Sequence, residues 1–369
     1  MKLHQITSYL EQVAPLYFQE SYDNSGLIVG DRNKKVTKVL LCLDSIESVI
    51  DEAIEKGCEL VIAHHPIVFN GLKSLTGKNY IEKTILKAIK NDIAIYACHT
   101  NLDNVLKNGV NQKMANAIGL TNTKILAPKI DIMSKLVIYC KPDNADAVRN
   151  NLFENGAGNI SEYSNCSFNT EGKGTYLPSE NSNPSYGEKG ELSTEDEIKI
   201  EVLAVNHQIN KLLVEVKKAH SYEEVAHEII PITNANQQIG SGMIGELEKE
   251  IDTLEFLKSL KTKMKTDCVR HTNIQKKTVK KTVKKIAICG GSGSFLLNNA
   301  ISQKADVFIT GDYKYHQFFD AQNQLIIADI GHFESEQFTI DLFHDILAPE
   351  FNRVEFIKTT ITTNPVNYL

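Results

Sequence analysis

The sequence predicts an α/β protein whose core is interrupted by a separate α+β unit. Three observations carry this. Strand-like and helix-like segments alternate in the first third of the 369-residue chain, the alternation returns in the last third, and the middle follows a different order.

In the first third, KVLLCLD (38–44) reads as a buried strand and SIESVIDEAIEKG (45–57) as an amphipathic helix. Ser45 is the expected N-cap, Glu47 places an acid in the first turn, and Gly57 closes the helix. CELVIAHH (58–65) is the next strand, NYIEKTILKAIKND (79–92) the next helix and IAIYACHT (93–100) a third strand. This alternation implies a parallel sheet covered by helices. The middle begins with a strand in DIMSKLVIYC (131–140) and a helix in NADAVRNNLFENG (144–156). Residues 160–192, rich in Ser, Asn, Gly, Pro and Tyr, suit hairpins and a loop. A strand in EIKIEVLAVN (197–206), a helix in QINKLLVEVKKAH (208–220) and an extended AHEIIPI (226–232) follow. The order β-α-β-β-α-β is that of a ferredoxin-like unit, so the middle reads as an insertion. Boundaries near Pro128 and at the Gly-rich QQIGSGMIG stretch around Gly240 give a first core half at 1–127, an insert at 128–238 and a second core half at 239–369. In the last third, KIAICGG (285–291) is a strand entering a Gly-rich turn, with a helix near 294–303. ADVFITGD (305–312) is a further strand, and QLIIADIGH (324–332) feeds a helix running to about Ile346.

Hydrophobic residues make up 42% of the chain and charged residues 23%, enough apolar material for cores without staples. The formal net charge of -6 argues against nucleic acid as a partner, because sequence-independent binding needs a basic face. KKTVKKTVKK (276–285) is the one dense basic run, read as a solvated strand entry or as a patch that steers anions. Seven cysteines with no C-x-x-C spacing read as buried reduced thiols and point to a reducing compartment. There is no signal-like leader and no run of 18 apolar residues, so the expectation is a cytoplasmic protein without a membrane partner.

Three segments end strands with metal-type side chains. AHHPIVF carries His64 and His65, CHTNLDN carries His99, Asn101 and Asp103, and DIGHFESE carries Asp329, His332, Glu334 and Glu336. Ligands of open α/β sheets gather at the carboxyl ends of strands. Past the end of its strand, the His64–His65 pair can turn both rings to one cleft, and Pro66 favours extended geometry at His65. His332 and Glu336 lie four apart on one helix face, while Glu334 points elsewhere. Asp103 sits in an Asn/Asp-rich turn, where its ordinary role is turn formation. Each segment alone has such an ordinary reading; together they predict two divalent ions held by His64, His65, Asp103, His332 and Glu336. Two carboxylates against two dications leave a charge of about +2, which suits an anionic ligand. Mixed imidazole and carboxylate ligation fits Zn, Mn, Fe or Co. His316 and His99 are candidate proton carriers, with Asp312, Tyr315 and Asp329 nearby. The CGGSGS turn (289–294) is a weak phosphate-loop or dinucleotide signal, since it lacks the third glycine and the Lys-Ser/Thr.

Seven ordered stretches, ESYDNSGLIVG (20–30), ELVIAHHPIVF (59–69), AIYACHTNLDN (94–104), GSGMIGEL (240–247), KIAICGGSGS (285–294), ADVFITGDYKYH (305–316) and DIGHFESE (329–336), together resemble the Nif-three-like dinuclear metal-centre family. Its members are described as homologues of the type two form of GTP cyclohydrolase one. The resemblance implies an α/β sandwich core and places the family's metal ligands on His64, His65, Asp103, His332 and Glu336. AHSYEEVAHEIIPI (219–232) resembles the CutA-like and PII-like domain of longer members. A homohexamer is the implied assembly. The expected function is a metal-dependent hydrolase of an anionic or nucleotide-like substrate, with GTP ring opening or phosphoester cleavage as its forms. The competing expectation is a non-catalytic metal-binding scaffold that serves a partner or a regulatory ligand.

Overall fold

A computed structural model of the chain describes residues 1–274 and 281–369. The chain forms two units: Met1–Pro128 with Gln238–Leu369, and Lys129–Gln237. Part of the lysine run, 276–280, lies outside the described residues; Lys281 and Lys284 are exposed at the start of the strand Thr282–Ser292.

The discontinuous unit contains two mixed sheets. The five-stranded sheet runs in the order Gly26–Val29, Ala94–Ala97, Leu60–His65, Lys38–Asp44, Glu355–Lys358. Only its first pair is antiparallel. Val39 to Leu43 are all buried, the continuous apolar run of a strand covered on both faces. The helix Glu47–Lys56 turns Val49, Ile50 and Ala53 inward and stops at Gly57, whose φ of 66° is cheap only for glycine. Ser45 does not cap this helix. Ile46 occupies the cap, and the Ser45 hydroxyl is buried without a hydrogen-bond partner. Asn79 does cap the helix Tyr80–Lys90, accepting from Glu82 N at 2.9 Å. Leu40, Ile50, Ile85 and Ile95 share one apolar cluster over this sheet. Each such side chain, fully buried, contributes roughly 1.5–3 kcal/mol.

The six-stranded sheet runs Arg270–His271, Ile326–Asp329, Val307–Gly311, Thr282–Ser292, Asn236–Asp252, Leu120–Lys129. The three strands Thr282–Ser292, Val307–Gly311 and Ile326–Asp329 are parallel. The Gly-rich stretch around Gly240, where the core resumes after the insert, is part of the 17-residue strand Asn236–Asp252. A Cβ on Gly240 would come within 2.2 Å of the Ala127 carbonyl oxygen, so its glycine marks close backbone approach. The single helix expected after residue 332 is two, His332–Glu336 and Thr339–Leu347.

Residues 129–237 form a four-stranded antiparallel sheet in the order Phe168–Tyr176, Ser193–Val205, Met133–Cys140, His227–Ile232. The helices Ala145–Glu154 and Ile209–Ala219 bury Val148, Leu152, Leu212 and Val216 with Leu136 and Ile200. This is the expected β-α-β-β-α-β unit with ferredoxin-like strand order. No helix of the described residues is long and apolar enough to cross a membrane.

Candidate metal centre

Parallel strands of both sheets in the discontinuous unit end at one cavity of about 1380 Å³. From the five-stranded sheet come Asp44, the His64–His65 pair and, beyond Ala94–Ala97, His99 and Asp103. From the six-stranded sheet come Gly290 and Gly291, then Asp312, then the helix carrying His332 and Glu336. Asp103 lies in a short helix, Thr100–Asp103, where an open turn was expected.

The three imidazoles share one orientation. His64 Nδ1–H donates to the Cys98 carbonyl oxygen at 2.9 Å, His65 Nδ1 pairs with Asp44 Oδ1 at 2.7 Å, and His332 Nδ1 pairs with Asp312 Oδ2 at 2.7 Å. All three Nε2 atoms therefore face inward, and they converge on Glu336. Its Oε1 lies 3.7 Å from His64 Nε2; its Oε2 lies 2.9 Å from His65 Nε2 and 3.2 Å from His332 Nε2. Asp103 Oδ1 is 3.6 Å from His64 Nε2. Two triads result, His64–Asp103–Glu336 and His65–His332–Glu336, each with its ligand atoms within 4.8 Å of one another. Glu336 belongs to both through different oxygens. The five residues expected from the sequence are thus brought together.

The electrostatics are those of a cluster short of cations. Burial raises the Asp103 carboxyl, and the Glu336 carboxylate beside it raises it further. Burial also opposes charge on Glu336, but His332, His64 and His65 hold it well below the usual carboxylate range. Burial disfavours charge on His65 and His332, yet Glu336 with Asp44 and Asp312 pushes them up to about 10 and about 11. The His64 Nε2 and Asp103 Oδ1 atoms are buried with no hydrogen-bond partner. Orphaned buried polar atoms are costly, and a cation between them would satisfy both, so this donor set fits divalent metal. The clusters can hold metal ions on chemistry and geometry alike.

The CGGSGS turn forms the floor of the site. Gly290 N donates to Asn111 Oδ1 at 3.0 Å, Gly291 N to Ser335 Oγ at 2.8 Å and Gly293 N to Thr310 Oγ1 at 2.9 Å. These donors are spent inside the fold, which corrects the phosphate-loop reading. The glycines serve close approach instead, since a Cβ on Gly291 would lie 2.5 Å from Glu336 Oε1.

His99 borders the cluster. Its ring centroid is 5.2 Å from that of His64 and 5.3 Å from that of His65, and its Nδ1 pairs with Asp23 Oδ1 at 2.8 Å. His64, His65 and His99 form a third group of clustered ligand atoms. His316 is not brought to the cluster. It is exposed and packs against Tyr315 and Phe319, with centroids at 5.2 and 6.4 Å. Asp329 accepts from Tyr313 N and Gly331 N, both at 2.9 Å, and pairs with Arg270. Glu334 faces Asn364 Nδ2 at 3.0 Å, away from the ligand atoms, as expected. The sequence reading passed over Asp44 and Asp23 as site groups. Asp44 carried a signal, because it ends the strand beside that of His65 and is in register with it.

Comparison with known proteins agrees with this architecture. A Halalkalibacterium halodurans protein named GTP cyclohydrolase 1 type 2 homolog is 36% identical over 369 residues, spanning 99% of this chain and 98% of its own. A Bacillus subtilis protein of the same name is 38% identical over 331 residues, spanning 89% and 87%. The crystal structure of a Bacillus cereus protein related to NIF3 superposes with a TM-score of 0.85 at 36% identity, covering 100% of this chain and 99% of that one. With residues 1–365 matching the family described as Duf34/NIF3 (NGG1p interacting factor 3), the chain belongs to that family.

Proposed function

We propose that His64, Asp103 and Glu336 hold one divalent ion, that His65, His332 and Glu336 hold a second, and that the site hydrolyses an anionic, nucleotide-like substrate. The observation that carries this reading is the shared Glu336 carboxylate, one oxygen toward each triad. Bound in this way, a metal pair supplies Lewis-acid polarisation and a water acidified toward neutral pH.

The chain's own residues supply the rest. Cys98 O, Asp44 and Asp312 fix the three rings with Nε2 inward, so the ligand atoms need no reorganisation. The cavity wall carries Tyr22, Phe69, Tyr80 and Phe295, flat surfaces suited to a heteroaromatic ring. Arg270 also lines the cavity, with its guanidinium held by Asp329 and the Tyr313 carbonyl oxygen. His99, oriented through Nδ1 by Asp23, presents Nε2 for proton transfer. The names of the curated relatives support a nucleotide such as GTP as a first substrate to test.

The test is turnover by protein reloaded with Mn, Zn, Fe or Co, on GTP and on a panel of phosphoesters. A metal-dependent rate abolished by Glu336→Ala supports the reading. Stoichiometric metal without turnover on any of these substrates refutes the hydrolase and leaves a metal-binding scaffold, whose homohexameric assembly light scattering would test.

A further inference from the structure

Residues 359–369 follow the strand Glu355–Lys358 and contain no helix or strand, yet they are tied to both sheets. Thr360 N and Oγ1 donate to Glu52 Oε1 at 2.8 and 2.7 Å, anchoring the start of the segment. Thr363 Oγ1 then donates to Asp44 Oδ2 at 2.5 Å. The other oxygen of that carboxylate, Oδ1, holds His65 Nδ1 at 2.7 Å. Asn364 Nδ2 donates to Glu334 Oε1 at 3.0 Å, and Tyr368 hydrogen-bonds the same carboxyl. Glu334 Oε2 in turn packs against Gly331, where a Cβ would meet it at 2.1 Å, and Gly331 immediately precedes His332.

The reach of this segment is one-sided. Its partners support His65 and His332, the two imidazoles of one triad. The other triad is supported from elsewhere: Cys98 O holds His64, and Asn111 Nδ2 donates to the Asp103 carbonyl oxygen at 3.0 Å. A carboxylate with one oxygen on an imidazole and the other on a hydroxyl has its plane fixed from both sides. Remove the hydroxyl, and the carboxylate rotates, taking the aim of the ring with it.

We propose that Thr363, acting through Asp44, is a positioning residue for the His65–His332–Glu336 cation site, and that residues 363–368 set the affinity of that site independently of the His64–Asp103–Glu336 site. This rests on the two-cation reading above. It makes the two sites unequal: one takes no support from residues 363–368, the other depends on the segment that also forms a wall of the cavity.

The experiment is a Co²⁺ titration of metal-free wild-type, Thr363→Val and Thr363→Ser proteins, followed by visible absorption and calorimetry, with thermal unfolding of each metal-free protein. Valine keeps the shape and removes the hydroxyl; serine keeps the hydroxyl. The expected result is two equivalents in wild type. Thr363→Val should keep the first at wild-type affinity, weaken the second about 10–100-fold and alter its ligand-field bands. Thr363→Ser should behave as wild type, and all three metal-free proteins should unfold at similar temperatures. Should Thr363→Val not fold, Asn364→Ala with Tyr368→Phe makes the same test from the Glu334 side. Two unchanged equivalents, or an equal weakening of both, overturns the inference and leaves the two-cation reading standing. A wild-type protein that takes up fewer than two equivalents overturns both.

Discussion

His65 Nε2 lies 2.9 Å from Glu336 Oε2, although the two residues are 271 positions apart in the chain. The contact joins the end of a strand in one sheet to a helix following a strand in the other. Glu336 turns its second oxygen toward His64, so one carboxylate serves both triads. Glu336→Gln keeps the shape and removes the charge, and should lose both metal equivalents after dialysis. Asp103 belongs to one triad only. Asp103→Asn should therefore retain one equivalent of the two. Elemental analysis of the dialysed proteins decides this, and one equivalent retained by Glu336→Gln would show that Glu336 is not shared.

Proton release and pH dependence follow from the raised imidazoles. In the metal-free protein His65 and His332 are pushed up to about 10 and about 11, from an ordinary 6.5, so at pH 7 each ring carries a proton among carboxylates. A folded-state value raised above the unfolded one contributes stability that is fully present below about 6.5 and lost as pH rises through about 10–11. The metal-free protein should thus unfold at progressively lower temperature from pH 7 to pH 10. Metal binding must displace both protons, together with the one held by the Asp103 carboxyl, which is pushed up to about 8, so about two to three should be released at pH 7, and affinity should rise with pH. Calorimetry in buffers of different ionisation enthalpy counts them; no release would mean that the rings are already neutral.

Glu82 makes a structural prediction away from the ligands. Its Oε2 accepts from Thr76 N at 2.8 Å, Gly77 N at 2.9 Å and Thr76 Oγ1 at 3.0 Å. These bonds pin the end of the loop after His65, which places Phe69 and Leu72 on the cavity wall. Glu82→Ala leaves those backbone donors without their acceptor. Amide exchange at Thr76 and Gly77 should accelerate, while the number of bound metal ions stays at the wild-type value. Unchanged exchange at these two amides would remove Glu82 as the anchor.

The five clustered residues were legible because each sits where a simple rule looks. His64 and His65 end an apolar run, and His332 and Glu336 are spaced for one helix face. Asp103 follows the next strand. The insert was legible from element order alone. Thr363 and Asn364 were not legible, because a segment without helix or strand has no periodicity to read, and their roles exist only through contacts with Asp44 and Glu334. The Gly240 stretch was legible as the return to the core but not as part of a strand. Glycine marks turns and close backbone approach alike, and only the neighbouring strand, at Ala127, tells them apart. Ser45 failed as a cap because a hydroxyl ahead of a helix signals capping only if it faces the first turn, and this one is buried.

Gly291 and Gly290 offer a direct comparison beneath the metal centre. Gly291 has a φ of 63°, and a Cβ there would lie 2.5 Å from Glu336 Oε1 and 3.3 Å from His332 Cε1. The left-handed backbone costs a non-glycine residue roughly 1–2 kcal/mol. The overlap adds to that cost by pushing the shared carboxylate aside. At Gly290 the nearest atoms to a Cβ are Val110 Cγ1 at 3.1 Å and Glu336 Cγ at 3.3 Å, a tighter fit than usual but no clash with a ligand oxygen. Gly291→Ala should therefore lower both the melting temperature and the metal content. Gly290→Ala should lower the melting temperature less and keep most of the metal. Melting curves and elemental analysis on the two purified variants separate the effects. Full metal in Gly291→Ala would mean that the loop yields to the methyl group, and that this glycine does not govern how closely the turn approaches Glu336.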